Sequence, residues 1–227
     1  MLTPVMQDYL KAIYLLQQQE ENVSTSMLAE HKGVSAASVT GMLKKLSQLE
    51  LVEYEPYRGV RLTATGERAA LETLRHHRLL ELFLTEKMGF QWDEVHAEAD
   101  RLEHHISEAL EDRIFEMLGR PTHDPHGDPI PSITGELPTL ELHALTALNP
   151  GESGIVTRVL TQDDEVLRYL RELGLALNVA IELVTMAPFK GPLTLRVDGE
   201  REIAVSHEVG ERLLVVHIAR ADGEGDK

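Results

Sequence analysis

The chain has 227 residues, no cysteine, and 38 Asp and Glu against 22 Lys and Arg, which gives a formal net charge of −16. Without cysteine it forms neither disulfides nor thiolate zinc sites, so any metal must be held by His, Asp, Glu, Met or backbone oxygen. The acidic excess argues against broad affinity for nucleic acid. No apolar run approaches the ~20 residues that span a bilayer, and the amino-terminal segment lacks the features of a signal peptide. We therefore expect a cytoplasmic protein with no membrane partner.

The first predicted helix begins at Thr3-Pro4, a cap followed by a favoured first residue, and runs to about Gln19. Asp8 lies beside the apolar row of this helix. A carboxylate in the first turns is usually explained by the helix dipole alone. Asp8 is therefore a candidate metal ligand only if other ligands join it.

Residues 23–49 predict two helices joined by a tight turn, which is typical of a helix-turn-helix. Ser24 or Thr25 would cap the first helix, and Gly33 would permit the turn. The outward positions at the start of the second helix are small or hydroxylic, so this end is suited to enter a major groove. The residues expected to face base edges are Ser35, Ala37, Ser38 and Thr40, and Lys44 is expected to meet phosphate. An ordinary helical hairpin would give a similar pattern.

Residues 51–66 favour the helix-turn-helix, because they read as strand, turn, strand and a Thr-capped helix start, which is the wing of a winged helix. Arg58 lies in the turn and is expected to contact phosphate. Between residues 31 and 68, six Lys or Arg oppose four Glu, a local net charge of +2 in an otherwise acidic chain. This indicates a DNA-facing surface.

Two further helices carry candidate metal ligands. In the helix predicted from Glu67 to about Met88, His77 and Glu81 share one face at i, i+4. The segment 93–118 has no Gly or Pro and predicts one continuous helix with a single apolar stripe. On it, one sector bordering the stripe holds His96, Asp100, Glu103 and His104. Three of these, at i, i+3 and i+4, suit a fairly hard divalent ion, although a solvated acidic face would look alike. The apolar rows of both helices exceed what one small bundle needs, which indicates a dimer.

The Pro-rich segment 120–138 cannot form a regular element and marks a boundary. We interpret His123 and His126 within it as loop residues rather than ligands. From Gly151 onward, alternating runs predict about five short strands and one helix, 164–173, which together indicate a small β-barrel. The acidic tail, residues 223–227, is expected to be disordered.

Six segments resemble the diphtheria-toxin-repressor family of metal-dependent transcriptional repressors, and especially its manganese transport regulator branch: MQDYLKAIYLL, SVTGMLKKL, YRGVRLTATG, HHRLLELFL, VHAEADRLEHHIS and HDPHGDPIP. The resemblance implies an α+β chain with three domains. These would be a winged helix-turn-helix at 1–66, an all-helical dimerisation domain at 67–138, and an SH3-like, FeoA-type barrel at 139–227.

The resemblance also implies two metal sites. The family's primary site falls on Asp8, His77, Asp100, Glu103 and His104. A further carboxylate of the manganese branch falls on Lys11, so a two-metal cluster of that branch's type is not expected. A second site maps onto Glu81 and His96 and would be completed from the barrel by Asp163, Asp164 and Glu165.

The implied function is metal-dependent repression of metal-uptake genes by a homodimer on double-stranded operator DNA. Asp8 and Asp100 stand where the iron-type repressors carry sulfur ligands, which favours Mn²⁺. The barrel belongs to the iron-type architecture, so Fe²⁺ is the alternative. Two other classes stay open. A metal-dependent hydrolase would need a nucleophile motif or phosphate loop that the sequence does not offer, and a winged-helix regulator could respond to an organic effector instead.

Overall fold

A computed structural model describes residues 2–218 of the chain, which divides into two compact units. The first unit takes in the chain as far as Leu80 together with Ala99–Thr122 and Ile130–Leu137. The second takes in Glu81–Glu98, His123–Pro129 and the chain from Pro138 onward. The three-domain division at residues 66 and 138 stays a prediction.

The first unit begins with the helix-turn-helix, and the structure confirms its predicted elements. Helix α1 spans Pro4–Gln17 behind a Thr3 cap, α2 spans Thr25–Lys32, and α3 spans Ala36–Gln48. The caps follow from local chemistry: the Ser24 and Ser35 hydroxyls accept backbone N–H groups, and Gly33 ends α2 at φ 64°, a conformation that favours glycine. These helices bury Leu10, Ile13, Leu28, Val39, Leu43 and Leu46 in one core.

The wing is an antiparallel pair of strands, β1 at Val52–Glu55 and β2 at Gly59–Leu62. The next helix, α4, spans Ala64–Met88 and begins three residues before the predicted start. Its start is set by Thr63, whose Oγ1 accepts a hydrogen bond from the Gly66 amide. The wing is thus tied directly to α4, as the sequence predicted.

The prediction of one continuous helix over 93–118 is wrong. The structure has α5 at Val95–Leu102 and α6 at Glu108–Met117, with a non-helical segment between them. Ser107 adopts extended backbone and caps α6 by accepting the Leu110 amide. At the other side of the break, His76 Nδ1 donates to the backbone carbonyl of Glu103. The sequence signal was Ser107 followed by acidic residues in a first turn, which is a helix start.

The second unit is built on a six-stranded antiparallel sheet in the order β3-β8-β4-β5-β6-β7. The strands are β3 His143–Ala144, β4 Ser153–Val159, β5 Ala180–Met186, β6 Leu193–Val197, β7 Arg201–Val205 and β8 Leu213–Ile218. Helix α7 spans Asp164–Glu172, α8 spans His207–Arg212, and a 3-10 turn covers Leu145–Ala147. The five predicted strands are confirmed as β4 to β8. Strand β3 and helix α8 were not predicted, because segments of two and six residues are too short to show a hydrophobic periodicity.

The Pro-rich segment contains no helix or strand in the structure, as predicted. The predicted tail, 223–227, lies outside the described residues. None of the helices in the described part of the chain has the length and apolar character needed to cross a bilayer.

Candidate metal centres and nucleic-acid interface

The proposed DNA-contacting residues lie at the exposed start of α3 and in the wing. Ser35, Ala37 and Ser38 are exposed, and the two serine hydroxyls lie 3.0 Å apart. Thr40 is half-buried and donates its hydroxyl to the Ala36 carbonyl at 2.9 Å, so less of it faces outward than expected.

Two cationic side chains flank this surface. Lys44 is exposed on α3. Arg58 is 81% exposed in the wing turn and pairs with Glu55 at 3.0 Å. Weak, solvent-screened pairs of this kind exchange readily for another anion. Both side chains are therefore available to phosphate.

A first cluster of six charged or imidazole side chains forms within the first unit: Asp8, Lys11, His77, Asp100, Glu103 and His104. Helix α1 supplies the first two, α4 supplies His77, and α5 with the segment after it supplies the rest. The five ligands that the resemblance implied are thus brought together. Glu103 and His104 lie in the non-helical segment that follows α5. The Glu103 side chain is fully buried at the centre of the cluster.

His104 is oriented by a residue that the sequence reasoning missed. Its Nδ1 lies 3.0 Å from Gln7 Oε1, an acceptor, so Nδ1 carries the proton and Nε2 is turned to the cluster. Nε2 lies 2.9 Å from Asp8 Oδ1 and 3.4 Å from Glu103 Oε1. A ligating imidazole is commonly fixed in this way through its other nitrogen. Gln7 is therefore a positioning residue for His104.

Lys11 occupies the other half of the first cluster. Its Nζ donates to Asp100 Oδ1 at 2.9 Å and to both Glu103 oxygens at 2.7 and 2.8 Å. Burial acts to lower the pKa of Lys11, but the two carboxylates outweigh burial and raise it. Burial likewise acts to raise the pKa of Asp100, but His77 and Lys11 hold it well below its usual range. The Lys11 ammonium and the Asp100 carboxylate are therefore charged at neutral pH.

A buried network supports the cluster from behind. His76 donates from Nδ1 to the Glu103 carbonyl at 3.1 Å, and its Nε2 lies 3.0 Å from Glu111 Oε2. Burial lowers the pKa of His76, but Glu111 outweighs that effect and raises it, as expected of an imidazole that donates from both nitrogens. Arg75 also pairs with Glu111 and donates to the Pro131 carbonyl at 2.7 Å. These contacts fix the segment that carries Glu103 and His104.

A second cluster lies within the second unit and comprises Glu81, His96, Asp124 and His126. Glu81 and His126 are fully buried and Asp124 is 3% exposed. His96 Nδ1 lies 3.1 Å from Glu81 Oε1, and His126 Nδ1 lies 3.7 Å from Glu81 Oε2. Sequence reasoning anticipated Glu81 and His96 but treated His126 as a loop residue, because nothing in the local pattern indicates its burial.

The loop that carries His126 is pinned in place. The His126 carbonyl accepts the Val159 amide of β4 at 2.9 Å, and Asp124 Oδ1 accepts the amides of His126 and Asp128. Gly127, at φ 82°, lies so near the Thr157 carbonyl that a Cβ atom would stand 2.0 Å from its oxygen. The loop therefore cannot shift without breaking contacts to the sheet.

The imidazole of His126 is also fixed in orientation. Its Nε2 lies 2.9 Å from the Trp92 carbonyl, which accepts, and the two rings stack with centroids 6.0 Å apart. Nδ1 is thereby directed towards Glu81. Burial lowers the pKa of His126, but Glu81 and then Asp124 raise it to about 9. In the absence of a metal this imidazole is cationic at neutral pH.

The barrel carboxylates predicted for the second site lie at the start of α7. All three are exposed, and Asp163 Oδ1 caps the helix by accepting the amides of Glu165 and Val166. The structure does not bring Asp163, Asp164 or Glu165 into any of the ligand groups found among residues 2–218. Asp124 and His126 are the additional donors at Glu81 instead.

Both clusters fit a divalent metal by the chemistry of their donors. One ligand atom each from Asp8, Glu103 and His104 lies within 4.8 Å of the others, and the same holds for Glu81, Asp124 and His126. Two ligands at right angles on bonds of about 2.1 Å lie about 3 Å apart, close to the separation of His104 Nε2 and Asp8 Oδ1. Two carboxylates with one imidazole suit a hard or borderline divalent ion.

Comparisons with known proteins identify the family. The model for "Iron dependent repressor, N-terminal DNA binding domain" matches residues 1–60, and that for "Iron dependent repressor, metal binding and dimerisation domain" matches 63–132. The iron-dependent repressor IdeR of Mycobacterium tuberculosis is 30% identical over 219 residues, which cover 91% of this chain and 94% of IdeR. The chain belongs to the diphtheria-toxin-repressor family of metal-dependent transcriptional repressors. Its members are regulators of transcription and not enzymes.

Other relatives match different shares of this chain, and one of them is a manganese-dependent repressor. The regulator MntR of Bacillus subtilis is 36% identical over 118 residues, 52% of this chain and 82% of MntR. A solved manganese-dependent transcriptional repressor in complex with manganese superposes with a TM-score of 0.86 at 39% identity, covering 94% of this chain and all of the other. A FeoA domain model matches residues 143–217, in agreement with the SH3-like sheet. The predicted fold class is confirmed.

Proposed function

We propose that this repressor senses manganese(II), binds operator DNA as a homodimer and controls metal-uptake genes from the cytoplasm. The observation that carries the proposal is the group of Asp8, Glu103 and His104. Asp8 lies in the region matched by the DNA-binding model, and the other two lie in the region matched by the metal-binding and dimerisation model. One divalent ion held by these side chains would join the two regions.

The mechanism is thermodynamic linkage between metal and DNA. Without a bound ion, Lys11 offsets only part of the repulsion among the carboxylates of Asp8, Asp100 and Glu103, so α1 is held less firmly to the segment after α5 than in the metal-bound protein. When bound, the ion supplies two positive charges that stabilise the joined arrangement. If only that arrangement fits the operator, metal and DNA each strengthen the binding of the other, typically by about 1–3 kcal/mol.

A dimer is supported by apolar side chains left exposed in the first unit. On α6, the apolar side chain of Leu110 is 48% exposed and that of Met117 is 59% exposed. A twofold contact through this helix would cover them. Two copies of α3 would then be presented to successive major grooves.

Manganese is the proposed metal because oxygen donors dominate the first cluster. Carboxylates at Asp8 and Asp100 remove the advantage that soft sulfur ligands give to later transition metals. The similarity to a manganese-dependent repressor at 39% identity supports this choice. Iron(II) is the second candidate, supported by the similarity to IdeR along 91% of the chain.

Metal titration of DNA binding under anaerobic conditions tests the proposal. Duplexes would first be selected from a random library with the full-length protein and a mixture of Mn²⁺ and Fe²⁺. Binding of the selected duplex would then be followed against each free metal, with chelator reversal. Activation by micromolar Mn²⁺ is expected. Activation by Fe²⁺ alone would favour the iron candidate, and binding that ignores chelator would point to an organic effector.

The DNA interface is tested by Lys44→Ala. Loss of one phosphate contact should weaken binding to all duplexes and reduce the slope of log affinity against log salt by about one. Lys87→Ala, which removes an exposed lysine from the end of α4, is the charge-matched control. A loss confined to the selected sequence would contradict a phosphate role for Lys44.

A further inference from the structure

The first cluster holds a cation that belongs to the chain itself. Lys11 Nζ donates to three carboxylate oxygens at 2.7 to 2.9 Å and lies 3.5 Å from His77 Nδ1. Its side chain is 13% exposed. An ammonium surrounded by oxygens and one imidazole nitrogen has the surroundings of a bound metal ion. Lys11 thus fills one half of the cluster, and Asp8 with His104 forms the other half.

Glu103 joins the two halves. Its Oε1 lies 2.7 Å from Lys11 Nζ and 3.4 Å from His104 Nε2, and its Oε2 lies 2.6 Å from His77 Nδ1. The carboxylate therefore faces a cation position on each side. Because the Glu103 side chain has no exposed surface, water cannot solvate its charge, and the carboxylate depends on these neighbours for its polar contacts.

The charges of the cluster define how many divalent ions it can take. Asp8, Asp100 and Glu103 contribute three negative charges and Lys11 one positive charge, so the cluster has a net charge of −2 with neutral imidazoles. One divalent ion neutralises this charge. A second would leave an excess of two positive charges at a largely buried site, which is strongly unfavourable.

We propose that Lys11 is a permanent cation of the first cluster, which limits the cluster to one divalent ion and ties α1 to the segment after α5 before that ion binds. The inference rests on the proposed metal site and adds its stoichiometry and its metal-free state. Lys11 lowers metal affinity by repulsion at short range. In return, it reduces the repulsion among the carboxylates when no metal is bound.

The test compares full-length wild-type protein with three variants. Lys11→Glu replaces the ammonium by a fourth carboxylate, and Lys11→Met removes the charge while keeping the length of the side chain. Lys32→Met is the matched control, because Lys32 Nζ contacts Asp8 at 3.5 Å from the edge of the cluster. Bound Mn²⁺ would be counted from the electron paramagnetic resonance of the free aqua ion. The second cluster is unchanged in all four proteins, so differences in the count arise in the first.

Lys11→Glu should bind one more Mn²⁺ per chain than the wild type and Lys32→Met. Lys11→Met should keep the wild-type count but bind its ion about tenfold more tightly, because a like charge has been removed at short range. With chelator present, amide hydrogens of residues 99–107 should exchange faster in Lys11→Met than in the wild type or Lys32→Met.

An unchanged count in folded Lys11→Glu, or weaker Mn²⁺ binding by Lys11→Met, would overturn the inference while leaving the metal site intact. If Lys11→Glu does not fold, Lys11→Met and the hydrogen exchange still decide it. Failure of the metal site itself has a different signature: Glu103→Gln would then bind as many ions as the wild type.

Discussion

The two clusters use the same kinds of side chain but neutralise their carboxylates differently. In the first, a lysine ammonium lies among the ligands, and Asp100 at its edge is 48% exposed at the side chain. In the second, Glu81, Asp124 and His126 are all buried, and the positive charge near them is a proton on His126. A lysine charge is permanent, whereas an imidazole proton can be exchanged for a metal.

This difference predicts that the two clusters exchange a metal ion at different rates. A partly exposed site with a fixed internal cation gains and loses an ion without large changes in protonation. A buried site whose imidazole must first lose a proton binds metal in a pH-dependent way and exchanges it slowly. We therefore expect the first cluster to exchange a bound ion faster than the second.

The largest expected effect is at Glu103, the carboxylate shared by both halves of the first cluster. Glu103→Gln should abolish metal-activated DNA binding, a loss on the order of 5- to 150-fold, while the protein remains a folded dimer. His77→Ala should also weaken metal-activated DNA binding. Operator binding against free Mn²⁺, with circular dichroism and size-exclusion chromatography as controls, measures this. Activation at the wild-type metal concentration would show that the first cluster is not the sensor.

A second prediction concerns the rate of metal loss. The wild-type protein should release Mn²⁺ to excess chelator in a fast and a slow phase, because one cluster is partly open and the other is buried. His126→Gln should lack the slow phase, whereas Asp8→Asn should lack the fast one. Stopped-flow mixing with a chromogenic chelator measures both. If His126→Gln leaves both phases intact, the second cluster is not a metal site.

A third prediction follows from the proton on His126. Its pKa is about 9 in the folded chain against an ordinary 6.5. Because the folded value is raised, the resulting stability is fully present below pH 6.5 and is lost as pH rises through 9. In chelated protein, the free energy of unfolding should fall by on the order of 1–3 kcal/mol over that window.

Urea unfolding from pH 6 to pH 9.5 tests this point. His126→Gln should lack the fall, and His143→Gln, a change at an imidazole 48% exposed, should retain it. If the free energy of unfolding of the wild type depends on pH as little as that of His126→Gln, His126 does not carry the extra proton that distinguishes the second cluster from the first.

The smallest expected effect is a change in metal preference. Asp8→Met introduces a softer ligand into the first cluster and should shift activation towards Fe²⁺ or Co²⁺ by about tenfold, and Asp100→Cys should shift it in the same direction. The metal concentration that gives half-maximal operator binding, measured anaerobically, reports the shift. Asp124→Asn in the second cluster should leave the preference unchanged. An equal shift in that variant would mean that both clusters set selectivity.

The sequence by itself determined the elements that local chemistry controls. Serine caps, Gly33 and short alternating runs placed the helix-turn-helix, the wing and strands β4 to β8, since each signal acts within a few residues of the chain. Helical spacing also grouped Asp100, Glu103 and His104 as candidate ligands, but only the resemblance to a known family joined Asp8 and His77 to them.

Tertiary structure decided how these side chains meet. The helix predicted over 93–118 breaks at Glu103 because His76, on another helix, binds its carbonyl, and because the Glu103 side chain pairs with Lys11, 92 positions away. His126 became a cluster residue for the same reason, since its partners are the Trp92 carbonyl and Glu81. Helical periodicity describes one element at a time, whereas buried charges must be neutralised by whatever side chains the fold brings near.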